Sequence, residues 1–468
     1  MSELFTYEEL PIRVGFLKRA AIDAYMKSEG YAVFPDNYYR KLDNITTSVI
    51  PPDENGSGGG ACEEIAFGVG GSVTTRYDKK GADFNRIRSM IDGMLVGWIS
   101  IPDGSDLDTV YNVVTSIGGS LASEAADGIK NLPIAPDNRL RTDVKDVISH
   151  VTTSGWSGCF HEEFKYRIIA LDGICRNLCQ VVLMIAAVAE GECEMYNKAR
   201  KDVCQIVGGA TTKFHRYAYT QEPDQAYSWP KLFRVVGALC EAASYLPGAY
   251  PAMEGAAAVF NLLAELAPET EIQPPAESVD DFTCTMATFD EALVLLADAT
   301  RQEDMAANMA MGDLADFVKS GSAGQFTWPV HYGQIDPSNC GSPSGSVIAP
   351  TPAEGEATAD LLIDIQSVIA TAADDLVKKP NPYAWERPHP IGLYPNGPSP
   401  GWVDAQVATS RAVDGFSKDV WQCCDIFRTV VDHFDQADRE AKRRMEETQA
   451  IINQIQISPV RVPGYGEY

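Results

Sequence analysis

Two groups of residues that are close in sequence contain side chains that could bind a metal ion. Cys175 and Cys179 stand four residues apart, a spacing that puts two helical side chains on one face. Both continue an apolar periodicity, and no nearby histidine or carboxylate completes a tetrahedral ligand set. Cys159, His161 and Glu162 are close in sequence, but adjacent helical residues point in different directions. We therefore interpret these thiols as small core residues and expect no metal site.

Motifs for catalysis are also missing from the sequence. The run Gly-Val-Gly-Gly-Ser over residues 68–72 has neither the lysine nor the spacing of a phosphate loop, so a glycine turn is favoured. No G-x-S-x-G motif, H-E-x-x-H motif or paired Cys and His in a catalytic context occurs, and the six histidines are scattered. We expect a non-enzymatic protein that needs no cofactor.

Composition limits the classes of partner. With 468 residues, of which 45% are hydrophobic, the chain is long enough for two to four packed units. Its net charge of −27 argues against nucleic-acid binding, which needs clustered Lys and Arg, and disfavours docking on anionic lipid. The 11 cysteines are not spaced like a disulfide scaffold, which indicates folding in a reducing cytoplasm.

Neither a signal peptide nor a membrane span is expected. Charged residues interrupt residues 1–30, and no apolar segment with a cleavage site follows. The most apolar long stretch, residues 232–266, is broken by Pro247 and Pro251 and carries Glu241 and Glu254. We judge no stretch long and apolar enough to cross a bilayer.

The Cys, His and Glu residues considered above are expected to lie on helices, because apolar spacings of three and four dominate the sequence. We predict an all-α fold of long antiparallel helical hairpins, with an irregular N-terminal region and linkers rich in Pro and Gly. Spacing of two never persists, so no sheet is expected. Four regions follow: irregular residues 1–80, a helical hairpin unit at 81–208, an Ala- and Pro-punctuated segment at 209–330, and a second hairpin with a flexible tail at 331–468.

Two apolar seams are the longest in the sequence and call for a partner helix along their length. Gly208 and Gly209 are expected to end the first seam. The first contains Phe160, Phe164, Ile168, Leu171, Cys175, Leu178, Val182, Ile185 and Ala189, and it continues through Cys193, Tyr196, Ala199, Val203 and Ile206. The second contains Val413, Phe416, Val420, Cys424, Phe427, Val431 and Phe434, extended by Ala441 and Met445.

Trp156, Ser157 and Gly158 form a short turn between two helical patterns. Glycine allows the chain to reverse, and the Trp ring can close the end of a helical hairpin while its N–H reaches a turn carbonyl. Trp156, Gly158 and the following Phe164 resemble the WxG family of type VII secretion substrates, small helical hairpins exported by actinobacteria and related Gram-positive bacteria. This resemblance covers residues 141–207 well and residues 358–447 weakly.

The same family carries an aromatic-x-x-x-acid export signal beyond its second helix. Tyr196 falls where that aromatic is expected, but the fourth residue on is Arg200. Phe434 and Asp438 have the right spacing, with Phe in place of Tyr. The resemblance implies recognition by a type VII secretion apparatus and its ATPase, and a location outside the cell or on its surface without a cleaved signal peptide.

Three functional hypotheses remain at this point. The first is an exported structural or interaction protein, whose partner is a small WxG protein or whose two hairpins form a dimer within one chain. The second is a helical pore-forming or membrane-active protein, which the glutamates and prolines of residues 232–266 disfavour. The third, the targeting half of a toxin, is disfavoured because little sequence follows the second hairpin.

Overall fold

The computed structural model describes residues 5–68, 71–124, 138–157, 159–219, 281–320 and 350–454. Of these described residues 75% are helical, in eight α-helices and three short 3-10 helices, so the prediction of a mainly helical protein is confirmed. The helices are α1 (Leu10–Ser28), α2 (Gly81–Leu95), α3 (Ser105–Ser120), α4 (Arg139–Thr153), α5 (Cys159–Tyr219), α6 (Phe282–Ser320), α7 (Pro352–Lys378) and α8 (Pro400–Gln454). Short 3-10 helices span Tyr7–Glu9, Trp98–Ser100 and Pro382–Trp385.

A five-stranded antiparallel sheet follows α1, so the prediction of an irregular, sheet-free N-terminal region was wrong. Each strand pairs with the next in sequence. The strands are β1 (Ala32–Phe34), β2 (Asn37–Leu42), β3 (Ile45–Val49), β4 (Ala61–Gly68) and β5 (Gly71–Asp78). Spacing of two was not detectable because only one end of one face is buried: Tyr38, Val49 and Cys62 are buried cross-strand neighbours, whereas β5 is exposed at every position except Tyr77.

The Gly-rich segment between β3 and β4, which belongs to the region expected to be irregular, packs against α1. A Cβ atom at Gly56 would lie 2.8 Å from the Gly15 carbonyl oxygen, and Gly56 has a φ of +73°. Arg88 of α2 donates hydrogen bonds to the carbonyl oxygens of Gly56 and Gly58. Glycine is required here because the loop backbone touches the helix backbone.

Most helix positions agree with the sequence prediction, but one helix end does not. Apolar residues recur at helical spacing over residues 282–318 and predict a helix there, and α6 spans Phe282–Ser320. The first seam was expected to end at Gly208 and Gly209, whereas α5 continues to Tyr219. Val207 and Phe214 stay buried on either side of the two glycines. This packing outweighs the helix penalty of about 1 kcal/mol for each glycine.

The described residues group into two compact units, and the boundaries predicted after residues 80, 208 and 330 stay a prediction. The first unit contains the sheet and the second contains α4. The first lies within Met1–Thr115, Val181–Lys319 and Val377–Ala408, and the second within Ser116–Gln180, Ser320–Leu376 and Thr409–Tyr468.

In the second unit α7 packs antiparallel to the part of α8 that contains Ser417 and Cys424. The Gln366 amide donates a 2.9 Å hydrogen bond to the Ser417 hydroxyl, and the Cys424 thiol donates to the Ala359 carbonyl oxygen at 3.4 Å. Later residues of one helix therefore meet earlier residues of the other.

Helix α5 contains a segment, His161–Tyr219, that is long and apolar enough by length and composition to cross a membrane. The expectation that no stretch would qualify was therefore wrong. In the structure 67% of its apolar window is buried, and the core helix of a globular protein meets the same criteria. The stretch at residues 232–266 lies outside the described residues.

Candidate functional site

Four buried polar side chains converge in the first unit, and we call them the Arg387 centre. Helix α5 supplies Glu192 and Tyr196, one turn apart on the same face. Helix α6 supplies Asp304, and the loop after Pro382–Trp385 supplies Arg387. The side chains of Arg387, Glu192 and Asp304 are 0%, 4% and 1% exposed.

One guanidinium group joins all three partners. Arg387 Nη1 donates to Glu192 Oε2 at 3.0 Å and to the Tyr196 hydroxyl oxygen at 3.2 Å. Nη2 donates to Asp304 Oδ2. Charge-assisted hydrogen bonds of this kind are stronger than neutral ones, and Arg presents its donors in a fixed planar geometry.

Backbone groups of the loop complete the site around Asp304. The Leu393 and Tyr394 N–H groups both donate to Asp304 Oδ2, at 2.5 and 3.3 Å. The Gly392 N–H donates to the Thr300 hydroxyl at 3.2 Å, and Gly392 has a φ of +71°. Successive N–H groups around a residue of positive φ form a concave anion site, which this protein fills with its own carboxylate.

The Arg387 centre contains two carboxyl groups but one guanidinium group. Burial raises the pKa of Glu192 to about 7, and Arg387 only partly offsets this effect. Burial also raises the pKa of Asp304, and that of the Tyr196 hydroxyl. Burial opposes the charge of Arg387, but Glu192 and its neighbours outweigh burial and raise its pKa. Asp304 has the larger number of donors, so we assign the proton shared at neutral pH to Glu192.

The Arg387 centre fixes the loop between α7 and α8 to α5 and α6. Nearby, the rings of Trp385 and Trp402 lie 4.5 Å apart, and the Trp402 indole donates to the Ile185 carbonyl oxygen at 3.2 Å. Shifted pKa values often mark catalytic sites, but these side chains are enclosed by the protein. The Arg387 centre can therefore fix the position of the loop between α7 and α8, and it can keep a proton on a buried carboxyl group.

A second buried carboxylate, Asp23 of α1, ties the sheet to the helices of the first unit. It is 2% exposed and accepts hydrogen bonds from the hydroxyls of Tyr38 and, at 3.0 Å, Tyr219. Arg19 Nε donates to it at 2.9 Å. Burial raises the pKa of Asp23, while these donors oppose the rise. These three hydrogen-bond donors are enough to explain why the Asp23 carboxylate is buried, so we assign it a structural role.

In the second unit the predicted turn residue Trp156 is buried, with 6% of its surface exposed. Its ring lies 5.8 Å from that of Phe427, on which Phe164 stacks at 4.6 Å. The His161 ring meets Trp156 edge-on, and its Nε2 is 2.8 Å from the Val151 carbonyl oxygen of α4. The structure therefore brings Trp156 and Phe164 together through Phe427, whereas Gly158 lies outside the described residues.

The predicted Trp156 hydrogen bond to a turn carbonyl is not formed among the described residues. The buried Trp156 indole nitrogen has no hydrogen-bond partner there, but it lies close enough to the Glu354 carboxyl group at the start of α7 to affect the pKa of that group. The Thr351 backbone and hydroxyl lower the pKa of Glu354 most, and Trp156 lowers it further. The Thr351 and Glu354 contacts form a reciprocal helix cap.

The residues predicted for an export signal have opposite environments. Tyr196 is fully buried in the Arg387 centre, so its ring would have to leave the interior before a receptor could contact it. Phe434 is half-buried and Asp438 is exposed, and both lie on α8. The helix continues beyond them to Gln454, with every position from 436 to 451 exposed. Ion pairs such as Glu440 with Arg444 at 2.6 Å support this exposed helix.

The cysteines singled out from the sequence lie in the core. Cys175 and Cys179 are fully buried, and burial raises the pKa of Cys179 to about 12. Among the described residues no three His, Cys, Asp or Glu side chains form a group that could hold a metal ion.

Glu192, Asp304 and Arg387 were not predicted from the sequence. The one signal was the presence of Glu192 and Asp304 within apolar helical stripes, since isolated acids seldom lie there unpaired. Searches with models of known families, with curated proteins and with solved structures gave no match to this chain.

Proposed function

We propose that this chain is a non-catalytic, exported structural or interaction protein of the type VII secretion class. The observation that carries the proposal is the exposed end of α8, where Phe434 and Asp438 lie one turn apart on a helix that projects beyond its packed part. An aromatic ring and a carboxylate on one helical face give a receptor an apolar contact and a charge that sets orientation. The exposed helix end is accessible without unfolding.

The aromatic cluster at the α4–α5 turn supports the same proposal. Trp156 and Phe164 both contact Phe427, so the residues shared with the WxG family are used to pack helices. Two helical hairpins in one chain would take the place of the two subunits of a WxG dimer. The secretion ATPase, or a small WxG protein, is the partner expected at the exposed end of α8.

The export test uses Asp438→Ala, which removes an exposed carboxylate and should leave packing intact. Glu446→Ala is the matched control, because Glu446 is another exposed acid on the same helix. Both variants are expressed in an actinobacterium that has a type VII apparatus, and culture filtrate is compared with cell lysate. We expect Asp438→Ala to remain in the lysate with an unchanged melting temperature, while Glu446→Ala reaches the filtrate.

Equal export of Asp438→Ala and the control would remove this signal from the proposal. Failure of the unmodified protein to appear in the filtrate would contradict export by this route altogether.

A membrane-active protein is the second candidate, because α5 has the length and composition of a membrane span. The burial of most of its apolar window argues for a core role, since exposing it would uncover packed side chains. Leakage of a dye from anionic and neutral vesicles distinguishes the two. Release at low protein concentration would favour the membrane-active function.

A further inference from the structure

The strand β5 forms an open edge of the sheet, and its eight residues could pair with another extended backbone. All positions from Gly71 to Arg76 are exposed, and among the described residues β5 pairs only with β4. Natural edge strands are usually protected by Pro, Lys, a bulge or a covering element. β5 contains no Pro or Lys, and its Arg76 is paired with Glu63 on β4 at 3.2 Å. No described residue forms a backbone hydrogen bond with the outer edge of β5.

An apolar row ends at this edge. The directly paired residues Leu42, Ile45, Ala66 and Val73 cross the sheet from β2 to β5 on one face. Leu42, Ile45 and Val73 are 57%, 44% and 68% exposed. The row continues the face that is buried at Tyr38 and Val49, but it extends past the packed helices. Contiguous exposed apolar residues are typical of interaction surfaces, and Val73 places the end of this row at the edge where a second strand would pair.

Charge favours a second copy of this chain as the occupant. The whole chain carries −27, whereas residues 61–80 contain three acidic side chains (Glu63, Glu64, Asp78) and three basic ones (Arg76, Lys79, Lys80). The hairpin is therefore neutral, so two copies can approach there with little of the repulsion that their remaining surfaces impose.

We propose that two copies of this chain associate through antiparallel pairing of their β5 strands, which joins the two sheets and makes one continuous apolar row. A two-fold axis perpendicular to the sheet keeps the apolar faces on the same side. With the axis at Thr75, Val73 of each copy lies opposite Tyr77 of the other copy, so the dimer contains this pair two times. Pairs of a β-branched and an aromatic residue are favourable across antiparallel strands.

The first test is sedimentation velocity of the full chain over a range of concentrations. The unmodified protein is expected to shift from monomer to dimer as concentration rises. Val73→Lys should weaken dimerisation at least tenfold, because it places two charges in the joined apolar row. Ser72→Lys is the matched control, since Ser72 lies on the opposite face of the same strand and should leave dimerisation unchanged. Thermal melting of each variant checks that the chain remains folded.

The second test locates the axis by oxidation. Opposed antiparallel Cα atoms are about 4.5–5.5 Å apart, within the range for a disulfide, so Thr75→Cys should form a covalent dimer. In Ser72→Cys the two new thiols would be roughly 20 Å apart and should not join. The unmodified chain gives the background from its own 11 cysteines.

Three results would overturn the proposal. These are a monomer at every concentration, dimerisation that Val73→Lys does not weaken, and equal oxidation of Thr75→Cys and Ser72→Cys. A monomer that binds a foreign extended peptide at β5 would also exclude the second copy as the natural occupant.

Discussion

The charge on Glu192 should make folding stability depend on pH, and Glu192→Gln should remove that dependence. Glu192 is buried beside Arg387, and its pKa in the folded protein is about 7, above the ordinary value of 4.5. The folded state therefore binds a proton more tightly than the unfolded state between these values. Since stability falls with pH wherever the folded state holds more protons, wild-type stability is lost as pH rises from 4.5 towards 7.

The size of this effect follows from the shift in pKa. A rise from 4.5 to about 7 corresponds to about 3 kcal/mol, at about 1.4 kcal/mol for each pKa unit. Gln has nearly the shape of protonated Glu, and its amide oxygen can still accept the hydrogen bond from Arg387 Nη1. It has no proton to lose. Relative to wild type, Glu192→Gln should therefore gain about 3 kcal/mol between pH 4.5 and about pH 8.

Denaturant unfolding at a series of pH values measures this difference directly. Glu194→Gln is the matched control, because Glu194 is an exposed residue two positions along the same helix. Titrating groups outside the Arg387 centre affect wild type and variant equally, so the difference between their stability curves reports Glu192 together with Asp304, which interacts with it. A difference that stays constant with pH would refute the assignment of the buried proton to Glu192. A control that behaves like Glu192→Gln would attribute the effect to net charge.

Two substitution pairs test the packing described above. Trp156→Ala should lower the free energy of unfolding by about 3–5 kcal/mol, whereas Trp421→Ala, at a residue 55% exposed, should change it by about 0.5 kcal/mol or less; equal effects in denaturant titrations would show that the turn is not packed. Gly392→Ala should cost about 2 kcal/mol or more, because its φ is +71° and a Cβ atom would overlap the Asp304 carboxylate. Gly415→Ala, in an open position of α8, should instead add about 0.5–1 kcal/mol, and thermal unfolding that ranks the two glycine variants the other way would contradict this geometry.

The helices were predictable because each buries a continuous stripe of its own sequence. In α6, Phe289, Leu293, Leu296 and Leu314 are buried at helical spacing, so a local pattern was enough to give nearly the observed limits. The sheet offered no such pattern. Its buried residues are Tyr38 in β2, Thr47 and Val49 in β3, and Cys62 in β4, which is too few in any one strand to make a lasting alternation, and β5 buries no side chain. Turn signals such as Asp43, whose φ is +49°, were present, but they mark chain reversals without showing which strands pair.

The candidate sites divide in the same way. Trp156 and Phe164 were found from sequence because the turn and the following helix are adjacent, although their shared contact, Phe427, is more than 250 residues further along the chain. Phe434 and Asp438 were found because both lie on one helix, and their export role stays a prediction.

The Arg387 centre shows what a single sequence does not reveal about a buried charge. Glu192 and Asp304 each interrupt an apolar stripe, and each could be interpreted alone as a tolerated acid. Their burial becomes acceptable only when Arg387, from a Pro-rich loop, supplies a cation to both and the loop backbone supplies two further N–H donors to Asp304. No periodicity links a loop arginine to acids 83 and 195 residues away. Because its members are far apart in sequence, the Arg387 centre holds together three separate segments: α5, α6 and the loop that carries Arg387. Without these contacts, nothing in the local sequence of the loop would fix its position.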